Sequence, residues 1–183
     1  MRMDRPAMDD FLATVERKAF RMAEFATRNS DEALDIVQDA MIRLVKNYAA
    51  KPETEWQPLF YRILQNGIRD WARKKKVRDR WDGLRNLWRG GSEENREDPI
   101  QTLADPHGKH PGEQAALKDS SAALDTALKT LPLRQQQAFL LRAWEEMSVA
   151  ETAQAMNCSE GSVKTHYSRA LQTLRDLLED HWP

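Results

Sequence analysis

Apolar residues recur every three or four positions along most of the chain, and alternating β-branched runs are nearly absent. This period gathers the apolar side chains on one face of a helix and predicts an all-α protein. The first three helices are predicted over residues 8–27, 31–48 and 58–81. The core-facing seam of the second contains Leu34, Val37, Met41 and Leu44. A loop is predicted over 49–57, with Trp56 exposed in it.

The helical period stops between residues 82 and 112, where glycines and prolines lie among charged residues. This composition predicts a flexible linker, because an irregular segment of about 30 residues is longer than a compact domain usually contains. The chain is therefore predicted to form two small helical domains. An N-terminal helical bundle occupies 1–81, and a four-helix domain occupies 113–183.

The C-terminal end of the chain predicts a helix-turn-helix. Ser148 and Glu151 have the spacing of a capping box, in which the two side chains satisfy each other's free backbone amides. The short helix that follows ends near Asn157, which tolerates a left-handed backbone. Ser159 can then cap a longer helix, and in such a motif this second helix enters the major groove of DNA.

Packing of this final helix through Val163, Tyr167 and Ala170 leaves a polar face turned outward. Residues near its start could reach base edges, and its basic residues could reach phosphates or guanines. The candidate DNA-binding residues are Glu160, Gly161, Lys164, Thr165, Ser168 and Arg169. A plain helical hairpin in an unrelated bundle is the alternative interpretation of this segment.

The net charge of −1 does not by itself indicate a nucleic-acid partner, but the charges are unevenly distributed along the chain. Nine basic and three acidic residues lie between Asn66 and Arg89, whereas eight acidic and three basic residues lie between Ser92 and Asp125. Such an asymmetry indicates a polyanion-binding surface beside an acidic segment. A solvated helix face is the simpler explanation of the basic block taken alone.

The rest of the composition limits location and chemistry. No run approaches the roughly 20 apolar residues that span a bilayer, and the N-terminus lacks the apolar core of a secretory signal. Cys158 is the only cysteine, which excludes an internal disulfide and fits a soluble cytoplasmic protein. No nucleophile–base pair, phosphate-binding glycine loop or metal-ligand cluster stands out. We therefore expect a protein that is not an enzyme and that uses no cofactor and no metal.

Both halves resemble the extracytoplasmic-function group of σ factors in the order and spacing of their residues. Residues 35–44 and 60–66 resemble the first domain of this family, and residues 131–137 and 146–175 resemble its terminal domain. The resemblance implies a bacterial initiation factor that binds core RNA polymerase and recognises the −35 and −10 promoter elements. It would start transcription of specific genes by melting the promoter.

The resemblance also implies partners and site residues. The helix that would dock on the β′ clamp of the polymerase carries Asp35, Gln38, Asp39 and Ile42. The segment facing the −10 element carries Trp56, Arg62, Asn66, Arg69, Arg73, Lys74, Lys75 and Lys76. Trp56 and Asn66 match positions that hold a flipped base, whereas the three lysines need only charge density to bind phosphates. The terminal domain would contact the β flap and the −35 element, and the linker would permit an anti-σ protein to clamp both domains.

Two other classes of protein remain open from the residues alone. A helix-turn-helix regulator would bind a palindromic operator as a dimer, but this interpretation leaves residues 35–44 unexplained. An all-helical adaptor would bind proteins through the helix at 34–48, but it leaves the basic block and the capped C-terminal hairpin unexplained. Promoter-specific transcription by bacterial core polymerase would separate the three classes.

Overall fold

The computed structural model describes residues 5–88 and 113–179, and every element in these ranges is helical. The predicted all-α fold class is thereby confirmed. The N-terminal half consists of α1 (Arg5–Thr27), α2 (Ser30–Tyr48) and α3 (Glu53–Trp88). The C-terminal half consists of α4 (Glu113–Thr130), α5 (Leu133–Phe139), α6 (Val149–Met156) and α7 (Glu160–Leu177), and a π-helical turn (Leu140–Trp144) continues α5. Residues 89–112, most of the predicted linker, lie outside the described residues.

The three N-terminal helices pack through one apolar stripe each. Asn29 caps α2 with its side-chain oxygen, which accepts a hydrogen bond of 2.9 Å from the Glu32 backbone N–H, as asparagine does at many N-caps. The stripe of α2 is Ala33, Val37, Ala40 and Leu44. Leu34, predicted in this seam, is 43% exposed, because the smaller Ala33 occupies the core-facing position beside it.

Gly67 allows α2 and α3 to approach each other closely. A Cβ atom added at Gly67 would lie 3.2 Å from Cγ2 of Ile36, which is tighter than ordinary van der Waals contact between carbons. A glycine in the middle of a helix costs about 1 kcal/mol relative to alanine. The close contact between α2 and α3 explains why this position nevertheless carries glycine.

The start of α3 corrects the prediction for Trp56. The helix begins directly after Pro52 and passes through Pro58, so it includes most of the predicted loop. Helical spacing places Trp56 on the same face as Phe60, and the indole is only 3% exposed, with its ring 5.8 Å from that of Phe11. The prediction that Trp56 is exposed in a loop is therefore wrong. Burial against α1 removes a large apolar surface from water and stabilises the earlier helix start.

The end of α3 also differs from the sequence prediction. The helix was expected to stop near Trp81, but it continues to Trp88, so residues 82–88 of the predicted linker are helical. An ion pair of 2.8 Å between Arg85 and Asp82, one turn apart, supports this extension. The glycines and prolines on which the linker prediction rests begin after the end of α3, at Gly90.

The two halves lie against each other. The α6 helix packs on α3, and α1 contacts α4 and α5. None of the helices in the described ranges has the length and apolar character of a membrane span.

Candidate nucleic-acid interface

The C-terminal half contains the predicted helix-turn-helix. The Ser148 hydroxyl accepts a hydrogen bond of 3.2 Å from the Glu151 backbone N–H, and the Glu151 carboxylate accepts one of 2.8 Å from the Ser148 backbone N–H. These reciprocal bonds form the capping box at the start of α6. Asn157 adopts the left-handed conformation, with φ of 51°. Ser159 then caps α7 by accepting a hydrogen bond of 3.1 Å from the Ser162 backbone N–H.

Packing of one face of α7 against the rest of the C-terminal half leaves the opposite face turned toward solvent. Val163 and Ala170 are buried, and the ring of Tyr167 stacks on Phe139 at 6.3 Å. The opposite face is exposed and contains all six predicted DNA-binding residues, which are Glu160, Gly161, Lys164, Thr165, Ser168 and Arg169. A rigid inner face with a polar outer face is the arrangement that a recognition helix needs to enter a groove.

Positive charge converges beside this helix. Burial, followed by the nearby Arg134 and Arg169 guanidinium groups, lowers the pKa of His166 below its ordinary value. Arg134 also donates a hydrogen bond of 2.7 Å to the Met156 carbonyl at the end of α6. Sequence reasoning did not assign a role to Arg134, and its place in the 131–137 segment was the only available signal.

The capping box leads to a prediction about stability. Replacement of Ser148 by alanine should lower the free energy of unfolding of the C-terminal half by about 1 kcal/mol, since a backbone N–H loses its partner. Hydrogen bonds from Ser148 lower the pKa of Glu151, so this carboxylate stabilises the fold above its unfolded pKa and loses that contribution as pH falls. Urea unfolding of both proteins at pH 7 and pH 3.5 measures the difference, which should shrink at the lower pH.

The exposed Gln154→Ala variant on the same helix is the control for Ser148→Ala, and we expect it to change the free energy of unfolding by less than about 0.5 kcal/mol. A loss at Ser148 that is equal at both pH values would contradict the contribution of the Glu151 carboxylate.

The basic block lies on α3. Among the residues predicted to face the −10 element, Arg62, Arg73, Lys74, Lys75 and Lys76 are exposed, and Asn66 and Arg69 are half-buried. The Asn66 amide oxygen accepts a hydrogen bond from Arg69, which is one turn away. Lys75 places its ammonium group 5.1 Å from the centre of the Trp71 ring, a cation–π contact. Trp56, predicted with this group, is buried in the core and does not share this surface.

Arg69 is tied to the other half of the protein. Its guanidinium group donates a hydrogen bond of 3.0 Å to the Met156 carbonyl, at the end of α6. Burial, followed by the proximity of Arg134, lowers the pKa of Arg69 below its ordinary value. A cleft of about 440 Å³ beside this contact is lined by Arg62 of α3 and by Asn157 and Glu160 of the helix-turn-helix.

The residues predicted to bind core polymerase form an exposed face of α2. Asp35, Gln38, Asp39 and Ile42 are all exposed, and Ile42 exposes 51% of its surface. Asp39 forms an ion pair of 2.8 Å with Arg43 on the same helix. A groove of about 740 Å³ separates the acidic residues of α2 from the basic residues of α3, Arg73 and Lys74 among them.

Within residues 5–88 and 113–179, no three histidine, cysteine, aspartate or glutamate side chains form a metal-binding group. Cys158 is a half-buried free thiol in the turn of the helix-turn-helix. The histidines of the predicted linker, His107 and His110, lie outside the described residues.

Comparison with known proteins identifies both halves. Residues 8–78 match the family model described as Sigma-70 region 2, and residues 121–174 match Sigma-70, region 4. The RNA polymerase sigma-E factor of Streptomyces antibioticus is 32% identical over 149 residues, which are 81% of this chain and 71% of that protein. The ECF RNA polymerase sigma factor SigM of Mycobacterium tuberculosis (strain ATCC 25618 / H37Rv) is 26% identical over 176 residues, covering 96% of this chain and 79% of SigM.

A solved structure shares the fold. The sigma factor RpoE of Bartonella quintana, crystallised with the anti-sigma factor NepR, superposes with a TM-score of 0.57 at 22% identity, covering 93% of this chain and 97% of that one. The matches span both halves in the order that the resemblance implied. The chain therefore belongs to the sigma-70 family of RNA polymerase sigma factors, in its extracytoplasmic-function group, and directs promoter-specific transcription.

Proposed function

We propose that the two halves of this sigma factor divide promoter recognition between them. In this proposal α7 reads the −35 element as duplex, and α3 holds the −10 element as a melted strand. The observation that carries the proposal is the pair of exposed polar faces, one on a capped recognition helix and the other on a basic helix. Because α3 continues to Trp88, the domain boundaries of this proposal are region 2 at 1–88, a linker at 89–112 and region 4 at 113–183.

For the −35 element, the start of α7 would enter the major groove. Lys164 and Arg169 are exposed about one turn and about two and a half turns into the helix, where they can reach guanine edges or phosphates. The Thr165 hydroxyl donates a hydrogen bond of 3.0 Å to the Gly161 carbonyl. While this bond is made, the Thr165 oxygen can still accept a hydrogen bond and its methyl group can still make apolar contact with DNA.

For the −10 element, we expect polar side chains of α3 to hold the flipped base, because the Trp56 indole is buried in the core. The Asn66 side chain offers both a donor and an acceptor, and it lies among the exposed Arg62, Arg73 and Lys74. A basic track that binds the backbone, with a polar pocket for an unstacked base, is what recognition of a single strand requires.

Docking to core polymerase would use the exposed face of α2. We expect Asp35 and Asp39 to steer the helix to a basic partner surface and Ile42 to supply the apolar anchor, since about half of the Ile42 surface is exposed. The β′ clamp is the expected partner of this helix, and the β flap is the expected partner of the C-terminal half. The protein would work in the cytoplasm, where it meets polymerase and DNA.

The RpoE protein of Bartonella quintana assembles with an anti-sigma factor. We propose that this chain has an anti-sigma partner as well, which would bind both halves. Co-purification of the chain from its native cells would reveal a stoichiometric small protein if this is correct, and recovery of polymerase subunits alone would contradict it.

The division of labour is tested by two alanine variants in reconstituted transcription. Asn66→Ala should slow promoter opening while leaving binding to the closed promoter unchanged, because it removes a contact made only to the melted strand. Lys164→Ala should weaken duplex binding at the −35 element by about tenfold, the loss expected for one base or phosphate contact. Permanganate footprinting measures opening, and gel shift with holoenzyme measures binding.

Matched controls are available on exposed positions outside both faces. Asn47→Ala on α2 controls for the loss of an asparagine, and Arg175→Ala in the last turn of α7 controls for the loss of a positive charge. Equal effects of the Asn66 and Lys164 variants on both steps would contradict the division. Absence of any promoter-specific transcript and of any polymerase binding would overturn the proposal as a whole.

A further inference from the structure

A cleft of about 550 Å³ lies where the end of α1, the later turns of α3 and the α4–α5 connection meet. Its volume falls within the range of about 300–1,000 Å³ that is usual for small-molecule sites. Among its lining residues, only Lys75 and Lys76 belong to the proposed −10 face. The cleft is therefore largely separate from the surfaces proposed to contact the promoter.

The lining of this cleft is strongly basic. One carboxylate, Asp79, faces five cationic side chains, which are Arg28, Lys75, Lys76, Arg80 and Lys129. Among the side chains that the structure describes, none of these five cations forms an ion pair. Positive charge that no neighbouring carboxylate balances, collected in a concave site, raises the local concentration of anions. The charge of the cleft thus favours a ligand with several negative charges.

Hydrogen bonds hold the walls of the cleft in place before any ligand binds. Arg28 has a left-handed backbone with φ of 56°, and its guanidinium group donates a hydrogen bond of 2.6 Å to the Lys129 carbonyl. The buried Gln136 amide donates one of 3.3 Å to the Phe25 carbonyl and one of 2.9 Å to the Leu128 carbonyl. A site whose walls are already ordered loses less free energy when it binds a ligand.

An aromatic surface adjoins the cations. The half-buried Trp71 lines the cleft, and the Lys75 ammonium group lies 5.1 Å from the centre of its ring. The buried Phe25 and Leu131 add apolar surface to the wall beside it. A flat ring can pack against an indole, and guanidinium and ammonium groups bind phosphate oxygens. The combination suits a ligand that carries both a heterocyclic ring and a chain of phosphates.

We propose that this cleft binds a nucleoside triphosphate or a related nucleoside polyphosphate. The base lies against Trp71, and the phosphates lie among Arg28, Arg80 and Lys129. These cations come from three separate segments that converge on one cleft, whereas a nucleic-acid strand follows a track along a surface. The convergence favours a compact ligand over a strand.

Calorimetric titration of the full chain with ATP tests the proposal, with adenosine and tripolyphosphate as probes of its two parts. We expect one ATP to bind per chain. Tripolyphosphate should bind about tenfold more weakly than ATP because it lacks the ring, and adenosine should bind more weakly still because it lacks the charge. Thermal unfolding gives a second readout, since a ligand that binds only the folded chain raises its Tm.

Two charge variants locate the bound ATP. Arg80→Gln and Lys129→Gln each remove one cation from a side chain that reaches the surface and should weaken ATP binding about threefold to tenfold. Arg17→Gln on α1 and Lys46→Gln on α2 remove the same charges from exposed positions outside the cleft. Both controls should bind ATP as the original chain does.

A third variant, Trp71→Leu, separates the ring from the phosphates. It keeps an apolar side chain at this half-buried position but removes the flat aromatic surface. We expect it to weaken the binding of ATP while leaving the binding of tripolyphosphate unchanged. The charge variants test the site independently, because Arg80 and Lys129 lie outside the buried core.

Three results would overturn the proposal. The first is the absence of ATP binding by both calorimetry and thermal unfolding. The second is ATP binding that Arg80→Gln and Lys129→Gln leave unchanged while circular dichroism shows both variants folded, which would place the ligand elsewhere. The third is a short single-stranded oligonucleotide that binds more tightly than ATP and loses as much affinity in the same two variants, which would assign the cleft to a nucleic-acid strand.

Discussion

Replacement of Phe60 by alanine is expected to lower the free energy of unfolding of the N-terminal half by about 3–5 kcal/mol, the usual cost of removing a buried phenylalanine. Phe60 has no exposed surface, and the centre of its ring lies 6.1 Å from that of Phe11 and 5.3 Å from that of Tyr61. Its removal leaves a cavity beneath α3 and deletes two edge-on aromatic contacts. Urea unfolding followed by circular dichroism measures the change.

Phe60→Ala should also impair the proposed recognition of the −10 element, because the same helix carries Asn66 and the basic block. A comparable variant, Gln57→Ala, changes an exposed residue on the same helix and should alter the free energy of unfolding by less than about 0.5 kcal/mol. A loss below 1 kcal/mol at Phe60 would mean that the aromatic cluster does not hold α3 against α1.

Simultaneous replacement of Lys74, Lys75 and Lys76 by alanine should weaken binding of the holoenzyme to promoter DNA and flatten its dependence on salt. Each phosphate contact contributes about 0.7–0.9 to the slope of log affinity against log salt concentration. If each lysine contacts one phosphate, the original protein loses about 20-fold to 40-fold more affinity than the variant between 50 and 200 mM salt. Filter binding with one promoter across this range measures both slopes.

The control for the lysine variant removes three exposed charges outside the basic block, at Arg17, Lys46 and Lys51. The slope of this control should equal that of the original protein. If both triple variants lower the slope equally, the effect reflects net charge rather than a phosphate-binding track on α3. An unchanged slope in the Lys74–Lys76 variant would place this block outside the DNA path.

The sequence predicted the helix-turn-helix with good accuracy, because its signals are local. The capping box at Ser148 and Glu151 and the left-handed Asn157 both occur where the spacing placed them. Such motifs depend on hydrogen bonds between residues close in the chain, so a distant contact has little influence on them. The exposure of Lys164 and Arg169 follows from the same helical period.

The sequence predictions were wrong where contacts between residues far apart in the chain determine the start of a helix and the burial of its side chains. Trp56 stands near two prolines and was predicted in a loop, yet packing on Phe11 places it in the core at the start of α3. Pro58 was predicted to begin the helix, but the first-turn preference of proline is weaker than the gain from burying an indole. Apart from Trp56, the residues predicted to face the −10 element are exposed or half-buried, and their contact with DNA stays a prediction.

By itself the sequence determined the helical class, the two capped helices of the C-terminal motif and the basic block on α3, since each depends on periodicity, capping or local charge. Only the tertiary structure decided the burial of Trp56 and the joining of the two halves. Glu145, Asp125 and Met156 lie more than 80 residues from their partners Lys18, Arg21 and Arg69. No periodic pattern relates positions so far apart, because their contact depends on how separately folded surfaces meet.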